Sequence, residues 1–196
     1  MILPNNRLEN YMAIQKTSRE EILKQSAKLF KTKGYYNTSM SDIATACGLL
    51  KGSIYHHFKS KDDIGIESLK FIHEYFRNEI FSIAYRDDLR TLEKIKLIVK
   101  KTDDYFLHSE GGCLLGNLAL EVSWTDIKFK DEIKDYFTNW EKALYTIFKE
   151  KINDNKAHEL SKEFVESIQG SIMMMNLYND KERYLKVGQK MIHLLE

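Results

Sequence analysis

Proline, glycine and cysteine are scarce in this sequence, with one, nine and two copies among 196 residues. So little proline and glycine argues against long flexible linkers and is compatible with a helical protein. Cys47 and Cys113 have neither a CxxC spacing nor paired histidines nearby, which gives no metal-ligand pattern and fits a reducing compartment. We therefore expect a protein that carries no cofactor and no metal ion.

Long apolar runs are also missing from the chain. No stretch approaches the roughly 18 residues that a membrane-spanning helix needs. The N-terminus shows no cationic flank followed by an apolar segment, so no signal peptide is evident. A hydrophobic content of 43% beside 30% charged residues is ordinary for a globular protein. We expect a cytoplasmic protein without membrane contact.

The net charge is only +1, but it is distributed unevenly along the chain. Residues 1–61 hold ten Lys and Arg against four Asp and Glu, a net +6, whereas residues 62–196 carry a net −5. A basic head on an acidic body suits a protein that engages DNA at one end. A chance imbalance on solvated surfaces is the alternative.

The most informative segment is 39–61, SMSDIATACGLLKGSIYHHFKSK. Ser39 and Asp42 form a capping box that predicts the start of a helix, and Gly48 predicts a tight turn after it. A second helix is expected over about 51–58. Two short helices joined by a glycine turn are typical of a helix-turn-helix.

The second helix would bury Ile54 and Phe58, four residues apart on one face. A cation, a hydroxyl, a phenol and two imidazoles are then left to point outward: Lys51, Ser53, Tyr55, His56 and His57. Such a short, polar helix suits the major groove of DNA. A small three-helix packing unit with a polar surface would show the same spacing, so spacing alone leaves both interpretations open.

Residues 29–64, LFKTKGYYNTSMSDIATACGLLKGSIYHHFKSKDDI, resemble the N-terminal DNA-binding segment of the tetracycline-repressor (TetR) family of bacterial transcription regulators. The resemblance implies DNA contacts at Thr38, Met40, Lys51, Gly52, Ser53, Tyr55, His56, His57 and Lys61. Tyr55 and His57 are expected to hold phosphates rather than read bases, and Lys61 to anchor a phosphate. Members often carry Ser or Thr where this chain has Leu50, so a helix cap and a hydroxyl contact are missing.

The chain shows no strand-like alternation and no internal repeat. We predict an all-α fold of about nine helices, with a three-helix DNA-binding head and a larger helical body. A flexible N-terminal arm is expected over 1–15, a helix-turn-helix domain over 16–61, and a ligand-binding and dimerisation domain over 62–196. Outside the helix-turn-helix, helices are predicted at about 18–33, 60–85, 89–107, 113–124, 127–152, 158–178 and 182–195. The first of these is capped by Thr17 with Glu20 or by Ser18 with Glu21.

Some surface of the body is expected to pair two copies of the chain, because one helix-turn-helix touches too few base pairs to select a site. The last two helices resemble the pair that forms a four-helix bundle between TetR-family subunits, and Gly170 and Ser171 would let a partner approach closely. The predicted interface residues are Phe164, Ile168, Ser171, Ile172, Met175, Tyr184, Val187 and Met191. The alternative is that both helices complete the core of one subunit.

The resemblance also implies a small-molecule inducer, enclosed by the body, that releases DNA by shifting the helix over 60–85. Apolar walls with a few polar groups suit such a pocket, although aromatic residues at helical spacing are more often core. The predicted ligand-binding residues are Phe71, Tyr75, Tyr105, Cys113, Asn117, Glu121, Trp124, Phe137 and Trp140.

Residues 112–121, GCLLGNLALE, resemble a segment of a TetR subgroup that includes repressors responding to reactive electrophiles. A helix N-terminus lowers the pKa of a thiol, so Cys113 is a candidate sensor, with Asn117 and Glu121 on the same face. A small buried thiol that only packs is the alternative. Cys47 is expected to pack in the helix-turn-helix.

The sequence therefore predicts a ligand-responsive DNA-binding regulator that binds a palindromic operator as a homodimer, with repression favoured over activation. Enzyme activity is not expected, because pairs such as Asp103 with Asp104, or His108 with Cys113, lack a third orienting group. A helical interaction protein without DNA binding is the remaining alternative.

Overall fold

The computed structural model describes residues 18–122 and 127–196. Within these residues the chain forms nine α-helices and two short 3-10 helices, and no strand. The α-helices are α1 (Arg19–Lys33), α2 (Met40–Ala46), α3 (Lys51–Tyr55), α4 (Lys61–Glu79), α5 (Thr91–Leu107), α6 (Leu114–Val122), α7 (Lys130–Phe148), α8 (Asp154–Tyr178) and α9 (Glu182–His193). The all-α prediction is confirmed, whereas the predicted N-terminal arm over 1–15 lies outside the described residues.

The helices of the head begin where the capping residues predict. The Ser18 Oγ accepts the backbone N–H of Glu21 at 3.1 Å, which settles the choice of cap for α1. Both hydrogen bonds of the Ser39–Asp42 capping box are present at the start of α2. Each cap satisfies a backbone N–H that the first helical turn otherwise leaves without a partner.

Some helix boundaries in the body differ from those predicted. The long fourth helix ends at Glu79 and continues as a 3-10 helix over Phe81–Tyr85, where the N–H of Ile83 bonds the carbonyl of Ile80 at 3.2 Å. Helix α8 begins at Asp154, earlier than predicted, because the Asn153 side chain accepts the N–H of Lys156 at 3.0 Å. Polar residues that resemble a loop in the sequence thus form a capped helix start.

Aromatic rings form the centre of the body. Phe76 of α4 lies 5.3 Å from the ring of Tyr136 and 5.7 Å from that of Trp140, both on α7. Phe106 of α5 stacks on Trp140 at 6.3 Å, with the planes only 5° apart. All four side chains are buried, and burial of each ring contributes about 2–3 kcal/mol to stability before entropic costs. This core holds α4, α5 and α7 in fixed relation.

The head and the body meet at the start of α4. The buried Tyr35 ring contacts Phe129 edge to face at 4.9 Å, and both rings lie against Gly65. A Cβ atom at residue 65 would come within 2.9 Å of each ring, so only glycine fits here without displacing them. Of the helices in the two described ranges, none is both long and apolar enough to cross a membrane.

Candidate DNA interface and ligand clefts

Helix α3 presents a polar face away from the core of the head. Ile54 is fully buried and Phe58 is 2% exposed, whereas Lys51, Tyr55 and His56 are exposed. The helix ends at Tyr55, three residues earlier than predicted, and the chain turns through His56 towards Phe58. The hydrophobic face therefore fixes the orientation of α3, and the polar groups extend from a rigid base.

The N-terminal end of α3 suits close approach to a nucleic acid. No atom would lie within 4 Å of a Cβ built at Gly52, so the backbone there is open to a partner. Lys51 supplies a cation and Ser53 a hydroxyl beside it. Residue Leu50 occupies the N-cap in an extended conformation, with φ −75° and ψ 147°, and makes no side-chain cap hydrogen bond. The structure thus confirms that α3 lacks a side-chain cap, as the sequence predicts.

Arg19 braces the end of α3 against α1 and α4. Its guanidinium lies 4.1 Å from the centre of the Phe58 ring and donates to the backbone carbonyl of His57. It also donates to the carboxylate of Glu67 on α4, where the Nε–Oε2 distance is 3.2 Å. Arg19 was not among the predicted functional residues, since its partners lie 38 and 48 residues away in the sequence.

Three of the predicted DNA-contacting side chains are committed to the protein itself. Thr38 and Met40 are buried, with 1% and 8% of their surface exposed, and the Thr38 hydroxyl donates to the Gly34 carbonyl at 2.7 Å. The Lys61 ammonium donates to the Tyr35 carbonyl at 3.0 Å, and its burial lowers the pKa of Lys61. The prediction is corrected for Thr38 and Met40, whose buried side chains pack within the head, whereas Lys61 is partly exposed and donates to the backbone of the head.

A largely apolar cleft of about 510 Å³ lies between α6, α7 and α8, and we call it the α6–α8 cleft. Three of the predicted ligand-binding residues line it: Cys113, Asn117 and Phe137. Polar groups are few and include the amides of Gln169 and Asn176 on α8. An apolar wall with sparse amides is typical of small-molecule sites.

A second cleft, of about 570 Å³, lies between α1, α4 and the end of α5, and we call it the α1–α5 cleft. Phe71, Tyr75 and Tyr105 line it, so the structure divides the predicted ligand-binding residues between two separate places. No residue is shared by the two linings.

Trp140 and Glu121, also predicted to bind the ligand, line neither cleft. Trp140 is 1% exposed and belongs to the aromatic core, because its indole is enclosed by Phe76, Phe106 and Tyr136. Glu121 points instead at the head, and Trp124 lies outside the described residues. The prediction is corrected for Trp140 and Glu121.

Asn117 and Glu121 of α6 hold the end of α1, and we call this pair the α6 clasp. The Asn117 Nδ2 donates to the carbonyl of Lys31 at 3.3 Å and to that of Gly111 at 2.7 Å. The Glu121 carboxylate accepts the backbone N–H of Tyr35 at 3.0 Å. Asn117 and Glu121, which the sequence places beside the Cys113 thiol, thus connect the body to the head.

Comparison with known proteins identifies both parts of the chain. The family model for bacterial regulatory proteins of the TetR family matches residues 22–67. The model for the C-terminal domain of LmrA/YxaF-like transcriptional regulators matches residues 91–190, which is half of the chain. The chain is a TetR-family transcriptional regulator with an LmrA/YxaF-like body.

Related TetR-family sequences extend over nearly the whole chain. It is 27% identical over 181 residues to the uncharacterised HTH-type transcriptional regulator YxaF of Bacillus subtilis, covering 88% of this chain and 92% of that one. It is 28% identical over 176 residues to the HTH-type transcriptional repressor DhaR of a Mycobacterium species, covering 84% and 85%. A TetR transcriptional regulator from Legionella pneumophila has the same fold, with a TM-score of 0.82, 21% identity, and 95% and 100% of the two chains covered. The matched relatives are regulators rather than enzymes.

Within this TetR-family body, Cys113 caps α6 through its sulfur. The Sγ accepts the backbone N–H of Gly116 at 3.4 Å, which lies in the first turn of the helix. The side chain is 4% exposed, and burial raises the pKa of the thiol despite the hydrogen bonds it accepts. The predicted lowering of this pKa is wrong, because removal from water outweighs the helix terminus. No cluster of His, Cys, Asp or Glu suited to a metal ion occurs within residues 18–122 or 127–196.

Helix α8 leaves an apolar strip uncovered on the TetR-family body. Met173, Met174, Leu177 and Tyr178 are 53%, 38%, 71% and 59% exposed. The predicted interface residues lie mainly on the opposite side of the helices: Ile168, Ile172, Met175, Tyr184 and Met191 are buried within the subunit. Phe164 contacts Phe148 of α7, and the Ser171 hydroxyl donates to its own helix. The prediction is corrected for the five buried residues, which complete the core.

Proposed function

We propose that this TetR-family regulator is a homodimeric repressor that binds a palindromic operator in the cytoplasm and is released by a small molecule. The observation that carries the proposal is the exposed polar face of α3, with Lys51, Tyr55 and His56 projecting from a buried base. Repression is favoured over activation because the relative DhaR is named as a repressor.

We assign DNA contacts to α3 and the turn after it: Lys51, Gly52, Ser53, Tyr55, His56 and His57. The open backbone at Gly52 supports entry of the helix N-terminus into the major groove. Lys51 and the hydroxyl groups suit phosphates and base edges. Arg19 holds the carbonyl of His57, so the turn keeps its shape when the head binds.

The uncovered strip on α8 is the proposed dimer surface. Exposed methionine and leucine side chains lose unfavourable contact with water when a second copy covers them. Gly170 precedes the strip and is exposed, so a partner helix can approach its backbone closely. Two copies joined here would present two copies of α3 to the two halves of an operator.

The proposed inducer site is the α6–α8 cleft. Its volume of about 510 Å³ is within the range of small-molecule sites, and Asn117 lies both in its lining and in the α6 clasp. A ligand that displaces the Asn117 side chain would weaken the hydrogen bond to Lys31 at the end of α1. Binding in the body would then favour another position of the head, as a two-state switch requires.

We infer that the inducer binds without forming a bond to Cys113. The thiolate is the reactive form of cysteine, and the raised pKa of Cys113 keeps the thiol protonated at neutral pH. This inference separates the chain from the electrophile-responsive regulators that its GCLLGN segment resembles.

Selection of DNA from a random pool, followed by titration of the selected site, tests the proposal. We expect a palindromic sequence, and binding that weakens steeply with salt. Lys51→Ala should lower affinity and reduce the slope of log affinity against log salt by about one. The matched control is Lys100→Ala on α5, which removes the same charge from an exposed site on the body. Absence of any enriched sequence, or equal losses in the two variants, would contradict the proposed DNA interface.

A further inference from the structure

The α1–α5 cleft has one aromatic wall and one cationic wall. On the aromatic side, the rings of Tyr75 and Tyr105 lie 5.7 Å apart with their planes inclined by 31°, and Phe71 lies one helical turn before Tyr75. Tyr75 is 43% exposed, so much of its ring faces water. A planar ligand that stacks on this wall would remove apolar surface from water and gain ring contacts.

The cationic wall belongs to α1. Lys24, Lys28 and Lys31 follow one another at spacings of four and three residues, which places them on one face of the helix. Two of them already have carboxylate partners. Lys24 pairs with Glu20 at 2.7 Å, and Lys28 pairs with Glu110 at 3.0 Å.

Lys31 differs from the other two lysines. Its ammonium donates to the Ser109 hydroxyl and lies 5.8 Å from the centre of the Tyr105 ring. Within the part of the chain that the structure describes, no carboxylate lies within 4.0 Å of it. The side chain is half-buried, and burial lowers the pKa of Lys31. A partly buried cation with no carboxylate at ion-pair distance is a site where a bound anion is favourable.

The acidic residues of the cleft limit the charge of an occupant. Asp104 and Glu110 also line it, and since Lys24 pairs with Glu20 and Lys28 with Glu110, Lys31 and Asp104 are the charges of the lining that form no ion pair within the described residues. Glu110 is neutralised by Lys28, so Asp104 is the carboxylate that would repel a second negative charge on a ligand. The balance suits a ligand with a single negative charge next to an aromatic ring.

We propose that the α1–α5 cleft is a binding site for a planar aromatic monoanion, with Lys31 as its counter-ion and Tyr75 and Tyr105 as its stacking surface. This site is separate from the α6–α8 cleft and takes a different chemical class of ligand. It lies where the head meets the body, since α1 belongs to the first and α4 and α5 to the second.

A ligand bound in the α1–α5 cleft can affect the position of α3 through α1. Arg19, at the other end of α1, joins that helix to the His57 carbonyl and to Glu67 of α4. A ligand that pushes α1 away from α4 would strain the Arg19–Glu67 contact. It would also move the end of α3, because Arg19 holds the His57 carbonyl. The expected result is weaker operator binding, and this coupling rests on the proposed DNA-binding function.

Calorimetric titration of the full chain with naphthoate tests the site, with naphthamide as the neutral analogue of the same shape. We expect naphthoate to bind, and naphthamide to bind about tenfold more weakly. Lys31→Met should weaken naphthoate binding by about tenfold, while Lys100→Met, which removes an exposed lysine outside the cleft, leaves it within about twofold. Circular dichroism of both variants checks that they are folded.

Equal binding of naphthoate and naphthamide, or of naphthoate to wild type and Lys31→Met, would overturn the site. The coupling is read from the anisotropy of a labelled operator. Naphthoate should release it from the wild type but not from Lys31→Met, and release from both would contradict the coupling. If operator binding fails without naphthoate, the proposed function is wrong, and the calorimetric comparison still decides the anion site.

Discussion

The backbone N–H of Tyr35 donates to both carboxylate oxygens of Glu121, at 3.2 and 3.0 Å, across 86 residues of sequence. The same carboxylate also accepts the N–H of Tyr36 at 3.3 Å. Hydrogen bonds from backbone amides to a carboxylate are among the stronger ones in proteins. One side chain of α6 therefore fixes the position at which α1 ends and the helix-turn-helix begins.

Replacement of this carboxylate should loosen the head from the body. We expect Glu121→Ala to lower the free energy of unfolding by about 1–3 kcal/mol, because the Tyr35 and Tyr36 amides lose their acceptor. The measurement is urea unfolding followed by circular dichroism. Glu163→Ala, an exposed carboxylate on α8, is the control and should change stability by less than about 0.5 kcal/mol. Equal effects of the two substitutions would show that the α6 clasp contributes nothing.

A hydroxyl at residue 50 should supply the cap that α3 lacks. Leu50 already has the extended backbone of an N-cap, and its side chain is 81% exposed, so Ser can replace it without repacking. We expect Leu50→Ser to be more stable than Leu50→Ala by about 1 kcal/mol, measured by urea unfolding. The alanine variant controls for loss of the leucine side chain. A serine variant no more stable than the alanine variant would mean that α3 gains nothing from capping.

Cys113 should resist alkylation in the folded protein. Burial raises the pKa of Cys113, so at neutral pH its thiolate fraction is lower than that of an unfolded cysteine. The thiolate fraction rises only under alkaline conditions. Mass spectrometry after a timed reaction with N-ethylmaleimide should show Cys47, which is half-buried, modified before Cys113. In urea the two rates should become equal. Faster modification of Cys113 in the native state would support the electrophile sensor instead.

Acid should destabilise the head through Asp42. The Lys33 ammonium at 2.8 Å and the hydrogen bonds from Ser39 hold the pKa of Asp42 well below its usual 3.8. A carboxyl whose pKa is lower in the folded state stabilises the fold above its unfolded pKa, and this contribution is lost as the pH falls. Thermal unfolding between about pH 5 and pH 2 should therefore show a smaller decline in Asp42→Asn than in the wild type. Asp87→Asn, an exposed carboxyl, should decline as the wild type does.

The helices of the head could be predicted from the sequence, because the signals that start and orient them are local. Capping boxes, a glycine turn and two apolar residues at helical spacing each lie within a few positions of the element they specify. Ser39 with Asp42, and Ile54 with Phe58, behave in the structure as their spacing predicts.

The body was less predictable because the face of a helix that is buried depends on its neighbours. Ile168 and Met175 look the same in sequence as Met173 and Leu177, yet the first two are buried within the subunit and the last two are exposed. Periodicity identifies an apolar face but does not say whether it packs within a subunit or against a second copy.

Contacts between distant residues left no sequence signal at all. Arg19 reaches His57 and Glu67, and Lys61 turns inward to Tyr35. A charged residue near a DNA-binding helix has the same appearance whether it faces phosphate or its own backbone. The choice is made by tertiary geometry.

Gly65 lies where the head meets the body, and the rings of Tyr35 and Phe129 pack against its backbone. A single methyl group there would force the rings outward, since both lie within 2.9 Å of where it would sit. Tyr35 follows α1 in the head and Phe129 precedes α7 in the body, so such a shift would change the contact between the two. A larger residue at 65 would thus alter how the head packs on the body without changing any residue of α3 or of either cleft.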